Sequence, residues 1–207
     1  MDTEVKTTAA KRAPKIKPRL PLKEIDERNK KRIRELNGEF LNLYRVLGHH
    51  ANLLSAWIEF AYTLRRDCTT ARTLRELMIL RGAQLEGSAY EWHQHRRWAR
   101  QQGVPPEQIE DLFFWRESPR FSDAECAALA LTEAMMEGDV SDDVYAALGK
   151  HFTPSEIVEL ALTAGFYAMV PRVLNALKVP IEEETLLAPV PGEATARAPV
   201  KSRDGAS

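Results

Sequence analysis

The chain has 207 residues, enough for one domain with a real core. Its 44% hydrophobic and 29% charged residues are ordinary for a globular protein, and a formal net charge of −1 gives no electrostatic case for binding nucleic acid or an anionic membrane. The two cysteines, Cys68 and Cys126, stand in no metal or redox spacing and suggest no disulfide scaffold, which points to a reducing compartment.

Residues 1–21 are rich in Lys, Arg, Pro, Thr and Ala and read as a disordered basic tail without an apolar leader. No apolar run approaches the ~20 residues of a membrane span. A cytoplasmic protein is therefore expected. Residues 187–207 are rich in Pro, Ala and Gly and read as a second tail, leaving 22–186 as a single folded domain.

That domain reads as helix throughout. Residues 22–47 place Ile25, Ile33, Leu36, Phe40, Leu43 and Leu47 near the helical period, predicting one helix stopped by Gly48. A second helix is predicted over 51–66, with Leu54, Trp57, Ile58, Ala61 and Leu64 on one side. A third spans 70–87, with Thr70 as N-cap and Gly87 as its stop. Ser88 then caps a fourth, which ends at Gly103. The stretch 104–115 opens with prolines suited to a first turn. Ser122 and Glu125 form a capping-box pattern ahead of 121–138, and 141–152 starts with Ser141 in the same role. The segment 153–179 is apolar on most sides and contains Pro171, which should kink or break it. A helix apolar all round is buried, centrally or at a subunit interface, so a homo-oligomer is expected. No segment shows sustained strand alternation. The fold class is all-α.

The chemistry concentrates in GSAYEWHQHRRWARQQG, residues 87–103. Offsets of three and four place Ser88, Glu91 and His95 on one helical stripe, with Glu91 and His95 in hydrogen-bond reach. Such a pair suits proton transfer; the plain alternative is an exposed ion pair. Glu76, in the preceding helix, would approach His95 if the two helices form a hairpin; otherwise it pairs with Arg72 at the surface. His93 and His95 are two apart, hence roughly 200° apart on a helix, which disfavours a shared metal. No metal site is expected. His49, His50 and His151 read as capping or surface residues, and Tyr167 as core. Arg172, beside Pro171 in an apolar helix, reads as a buried arginine that binds a substrate carboxylate or pairs with a glutamate.

Residues 70–112, TARTLRELMILRGAQLEGSAYEWHQHRRWARQQGVPPEQIEDL, and 152–179 resemble the carboxymuconolactone decarboxylase family, which includes the alkylhydroperoxidase D proteins. The resemblance covers about residues 40–180. It implies an all-α fold assembled as trimers or hexamers, with active sites near subunit interfaces. The family's peroxidase branch carries Glu, then CxxC, then His. The Glu position matches Glu76 and the His position His95, but the cysteine positions fall on Ser88 and Glu91. A thiolate is the species that reduces peroxide, so thiol peroxidase activity is not expected. The chain resembles the cysteine-free branch with Tyr90, Glu91, Trp92 and His95.

That resemblance implies chemistry without a cofactor: decarboxylation of an unsaturated or β-keto-like acid or lactone through an enolate. His95 would donate the proton or bind the enolate oxygen, Glu91 would orient His95, and Glu76 would be a second acid/base. Ser88 and Tyr90 would face the small carbonyl or carboxylate substrate. Trp92 and Trp98 would wall an apolar pocket. Arg72, Arg81 or Arg172 would hold an anionic group. The same groups would also serve an isomerase, cyclase or hydrolase, and a non-catalytic ligand-binding oligomer is the alternative of another class.

Overall fold

The computed structural model describes residues 17–182, and among them every regular element is helical. The tail expected at 187–207 lies outside the described residues, as does most of that expected at 1–21. Nine α-helices follow in order: α1 (Glu27–Glu35), α2 (Asn42–Leu47), α3 (Ala51–Arg66), α4 (Arg72–Leu85), α5 (Ala89–Gln101), α6 (Pro106–Asp111), α7 (Asp123–Glu137), α8 (Asp142–Leu148) and α9 (Pro154–Leu177). A 3-10 turn, Leu112–Phe114, extends α6.

α4 is the hub. It packs on α5, α7 and α9, and accordingly Leu74, Leu77, Met78, Ile79 and Leu80 are all buried. Three apolar clusters surround it. One joins α1–α3 to Tyr90, Phe166, Tyr167 and Val170. A second fills the space between α4, α5 and the α6 region around Trp92, Leu112 and Trp115. The third packs α7 and α8 on α4 and α9. Each buried Leu or Ile stabilises by about 1.5–3 kcal/mol.

The predicted helix over 22–47 is two helices. Asn37 takes φ 51°, a left-handed conformation, and the Gly38 N–H donates to the Ile33 carbonyl, ending α1. Gly38 sits against the Tyr62 hydroxyl, where a Cβ has no room. α3 matches its predicted span, and both α5 and α7 begin at their expected serine caps. α9 has a capping box of its own, between Thr153 and Glu156.

Thr70 does not cap α4. The helix starts at Arg72 with Ala71 at the N-cap, and the Glu159 carboxylate of α9 accepts from the backbone N–H groups of Thr69 (2.8 Å) and Thr70 (2.9 Å). Pro171 does not break α9, which continues to Leu177. By length and composition α9 is apolar enough to cross a membrane, contrary to the sequence expectation; Glu156, Glu159 and Arg172 interrupt the apolar run without ending the helix. It packs on α4, α7, α3 and α5, but Val158, Leu162 and Met169 remain exposed along one stripe.

Part of the expected N-terminal tail is joined to the body. The Arg19 backbone N–H donates to the Leu177 carbonyl at 3.0 Å and its guanidinium to the Ala176 carbonyl at 2.7 Å. The Pro21 carbonyl meets His49 Nε2 at 2.9 Å.

Candidate functional site

α5 is buried on every side of its first two turns, from Tyr90 through His95. Five of those six residues are polar or ionisable, so each needs a partner or carries a cost. Gly87, with φ 59°, turns the chain so that α5 folds back along α4. This brings Glu76, fully buried, to His95: the Nδ1 nitrogen lies 2.7 Å from Glu76 Oε2. The other Glu76 oxygen accepts from Arg72. On the far side of the imidazole, Nε2 is 3.5 Å from Glu91 Oε2. Trp98 and Tyr167 stand edge-on to the His95 ring, each with centroids 4.8 Å away.

Burial raises the Glu76 carboxyl, but His95 and Arg72 outweigh it and hold Glu76 below the ordinary carboxylate value. Burial, with the Arg65 and Arg72 charges, lowers His95 below its ordinary value despite the opposing Glu76 carboxylate, so at neutral pH the ring is neutral, with Nδ1–H donating to Glu76 and Nε2 free to accept. Glu91 is the contrasting carboxyl. Burial pushes it up to about 8, the nearby Glu76 charge adds to this, and Arg65 only partly opposes it. At neutral pH, Glu91 is therefore an acid facing the basic nitrogen of His95.

A small cavity opens on this line, with about 330 Å³ of empty space including its mouth. Glu91, His95, Arg65 and Tyr167 line it, with Trp57, Trp98 and Phe166 among its apolar walls. Three polar atoms of this lining have no hydrogen-bond partner: Arg65 Nε, Glu91 Oε2 and Tyr167 Oη. The Arg65 guanidinium carbon lies over two aromatic rings, 5.1 Å from the Tyr62 centroid and 4.9 Å from that of Trp98. Two of the lining residues are also tied to the segment after α9, where Glu182 accepts from the Tyr90 hydroxyl at 2.7 Å and from the Gln94 amide. Burial, then the Glu182 charge, raises the Tyr90 hydroxyl well above its ordinary value, keeping it a donor. Among the described residues, no group of three or more His, Cys, Asp or Glu is placed to hold a metal.

The helix pair that carries Glu76 and His95 lies within a recognised pattern. Residues 51–134 match the model of the carboxymuconolactone decarboxylase family. An uncharacterized protein, YdfG of Bacillus subtilis (strain 168), is 33% identical over 94 residues, covering 44% of this chain; the match spans 64% of that relative's length. Among solved structures, an uncharacterized peroxidase-related protein from Silicibacter sp. TM1040 superposes with a TM-score of 0.72 at 18% identity, over 86% of this chain and 97% of that one. A second peroxidase-related protein, from Ralstonia eutropha JMP134, gives 0.71 at 18% identity over 81% and 93%. The debrominase Bmp8, in complex with 2,3,4-tribromopyrrole, gives 0.68 at 15% identity over 78% and 91%. At these identities the likeness establishes the fold: an alkylhydroperoxidase D-like helical arrangement.

Within the segment that matches the family model, Glu76, Glu91 and His95 come together, buried rather than as surface ion pairs. Tyr90 and Trp98 line the cavity. Ser88 does not: buried, it caps α5 by accepting from the Glu91 N–H at 3.4 Å. Trp92, expected to wall the pocket, instead packs in the cluster between α4, α5 and the α6 region and does not line the cavity. A two-residue difference from Tyr90 turns it to the opposite side of α5. Arg72 sits behind Glu76 and does not line the cavity. Arg81 pairs with Glu133 at 2.7 Å. Arg172 is exposed, not buried, and pairs with Glu86 at 2.6 Å. The cavity's own cation is Arg65, which the sequence reading passed over. Its signal was present: Ile58, Tyr62 and Arg65 run at helical spacing along the buried face of α3, so an arginine continues an apolar stripe.

Proposed function

We propose that this protein is an acid–base enzyme acting on a small carbonyl or carboxylate compound, most simply by decarboxylating an unsaturated or β-keto-like acid or lactone, and that it works as a homo-oligomer. One observation carries the reading: the buried line Glu76–His95–Glu91 ends at a cavity whose lining includes the unpartnered polar atoms of Arg65, Glu91 and Tyr167. The membership of residues 51–134 in the family pattern supports it. In this scheme the roles within the line differ from the sequence expectation. Glu76 orients His95, and Glu91 is the acid.

The bond from carbon to the departing carboxylate breaks, carbon dioxide leaves, and the electron pair passes to the conjugated carbonyl oxygen as an enolate. The Arg65 guanidinium stabilises that oxyanion. Glu91, protonated below about pH 8, gives its proton to carbon. Glu91 then recovers a proton from solvent through His95 Nε2, so one proton is consumed for each carbon dioxide released. Thiol peroxidase chemistry is not part of this proposal. Ser88 and Glu91 stand at the cysteine positions, and burial raises the thiol pKa of both Cys68 and Cys126, leaving them poor thiolates.

The test is carbon dioxide release from 4-carboxymuconolactone by the purified protein and its His95→Ala variant. The expected result is release by the wild type and a loss of about 10²–10⁴-fold in the variant, with helical circular dichroism retained. Equal rates would overturn the site assignment. No release by the wild type would exclude this lactone as substrate.

A further inference from the structure

Glu182 presents a carboxylate to three donors drawn from two separate elements. Its Oε1 accepts from the Asn42 backbone N–H at 2.7 Å and the Tyr90 hydroxyl at 2.7 Å, and its Oε2 accepts from the Gln94 side-chain amide. The segment carrying it is also tied down two residues earlier, where Asn42 Nδ2 donates to the Pro180 carbonyl at 3.1 Å. Tyr90 and Gln94 are one helical turn apart on α5 and are both buried, at 5% and 4% exposure. They line the same cavity as Glu91 and His95. A buried hydroxyl and a buried amide aimed at one point need an acceptor there. What fills that point is a side chain on the segment that follows α9, outside the helical body.

A carboxylate held by three donors beside an apolar, aromatic-walled cavity has the form of a bound organic acid. We propose that the Asn42 N–H, the Tyr90 hydroxyl and the Gln94 amide form a carboxylate-receiving site, which Glu182 occupies in the resting protein and which the carboxylate of an incoming organic acid takes over. Glu182 is thus an internal competitor, which an incoming ligand must displace from the three donors. The proposal rests on the cavity being the ligand site, as the proposed function has it, but it does not depend on the reaction performed there.

The competition has a direct consequence. An occupant tethered to the same chain lowers the apparent affinity for any free carboxylate by the fraction of time that it holds the site. Removing the Glu182 carboxylate should therefore tighten binding of an acid and leave a neutral isostere unaffected. The probes are benzoate, whose flat ring suits the walls made by Trp57, Trp98 and Phe166, and benzamide as its uncharged counterpart. Binding is followed by calorimetry on the full-length wild type, Glu182→Ala and Glu182→Gln. The expected result is benzoate binding about 10-fold tighter or better in Glu182→Ala than in the wild type, with benzamide changed less than about 2-fold. Glu182→Gln, which keeps the shape and loses the charge, should fall between them, and it serves alone if the alanine variant does not fold. Adding Tyr90→Phe to Glu182→Ala should weaken benzoate by about 5-fold or more through the loss of one hydrogen bond.

Equal benzoate affinity in the wild type and the Glu182 variants would overturn the proposal and leave Glu182 as a fastener of the C-terminal segment. Failure of both Glu182 variants to bind benzoate would overturn it as well. The proposed reaction fails separately, through His95→Ala turnover, so the two readings are distinguishable.

Discussion

Glu91 and Glu76 are the same residue type, a few ångströms from the same imidazole, and the environment splits them. Glu76 has two cationic or donor partners and stays ionised. Glu91 has burial and a like charge, and its pKa rises from 4.5 to about 8. The consequence for stability follows from proton counting. Between about pH 4.5 and 8 the unfolded chain has released the Glu91 proton while the folded protein keeps it. Unfolding therefore releases a proton, and stability falls as pH rises through that window. At about 1.4 kcal/mol per unit, the loss amounts to a few kcal/mol. His95, whose pKa is lowered, contributes in the opposite direction near its ordinary value of 6.5. The comparison with Glu91→Gln isolates the carboxyl, because the amide cannot ionise. Thermal midpoints measured from pH 5 to 9 should show the variant gaining on the wild type as pH rises, with the gain levelling off above about 8. An unchanged difference across the range would mean that Glu91 is ionised in the fold. Turnover, once a substrate is in hand, should fall above about pH 8 in the wild type as the acid is lost. The Glu91–His95 pairing was legible from its spacing of four, and the Glu76 contact from the hairpin. Burial was not legible, and burial is what separates an acid at pH 7 from an ordinary surface carboxylate.

Local signals located most helices and failed where a distant segment supplied the partner. The serine caps of α5, α7 and α8 are written in the residues next to them, and the structure uses them. The break between α1 and α2 was also written locally, because Asn37–Gly38 is a turn dipeptide, but the apolar period running through it concealed the signal. The start of α4 is different. Thr70 has the right chemistry for a cap, yet the backbone N–H groups there are taken by Glu159, 89 residues further along. No local pattern carries that information. Arg65 and Tyr167 reached the site in the same way, from α3 and α9 across the core. The Glu159 contact makes a testable distinction. Glu159→Ala removes an acceptor from two backbone donors and unpins α9 from the α3–α4 turn, and should cost about 1–2 kcal/mol in urea unfolding. Thr70→Ala removes a hydroxyl without a partner and should cost less. The reverse order would restore Thr70 as the functional cap.

α9 connects the cavity to the outer surface. One side gives Phe166, Tyr167 and Val170 to the cavity lining. Another carries Val158, Leu162 and Met169, at 57%, 46% and 42% exposure. Their spacings of four and seven put them on a single stripe. Isolated exposed apolar residues are ordinary, but an aligned row on the most apolar helix of the chain is what a second copy would cover. Leu162 is central to the row and tests the homo-oligomer directly. A glutamate there would bury an unpaired charge at any interface the stripe forms, while in a monomer it would stand in water at almost no cost. Sedimentation should therefore give a multiple of the monomer mass for the wild type and a lighter species for Leu162→Glu, with the helical content unchanged. Wild-type protein that sediments as a monomer would refute assembly itself. Wild-type and variant oligomers of equal mass would move the interface off this stripe. Because α9 reaches both surfaces, the lighter species should also show altered carboxylate binding if packing at the interface fixes Phe166 and Tyr167. Unchanged binding would mean that the cavity is complete within one chain, and that assembly stabilises the fold without building the site.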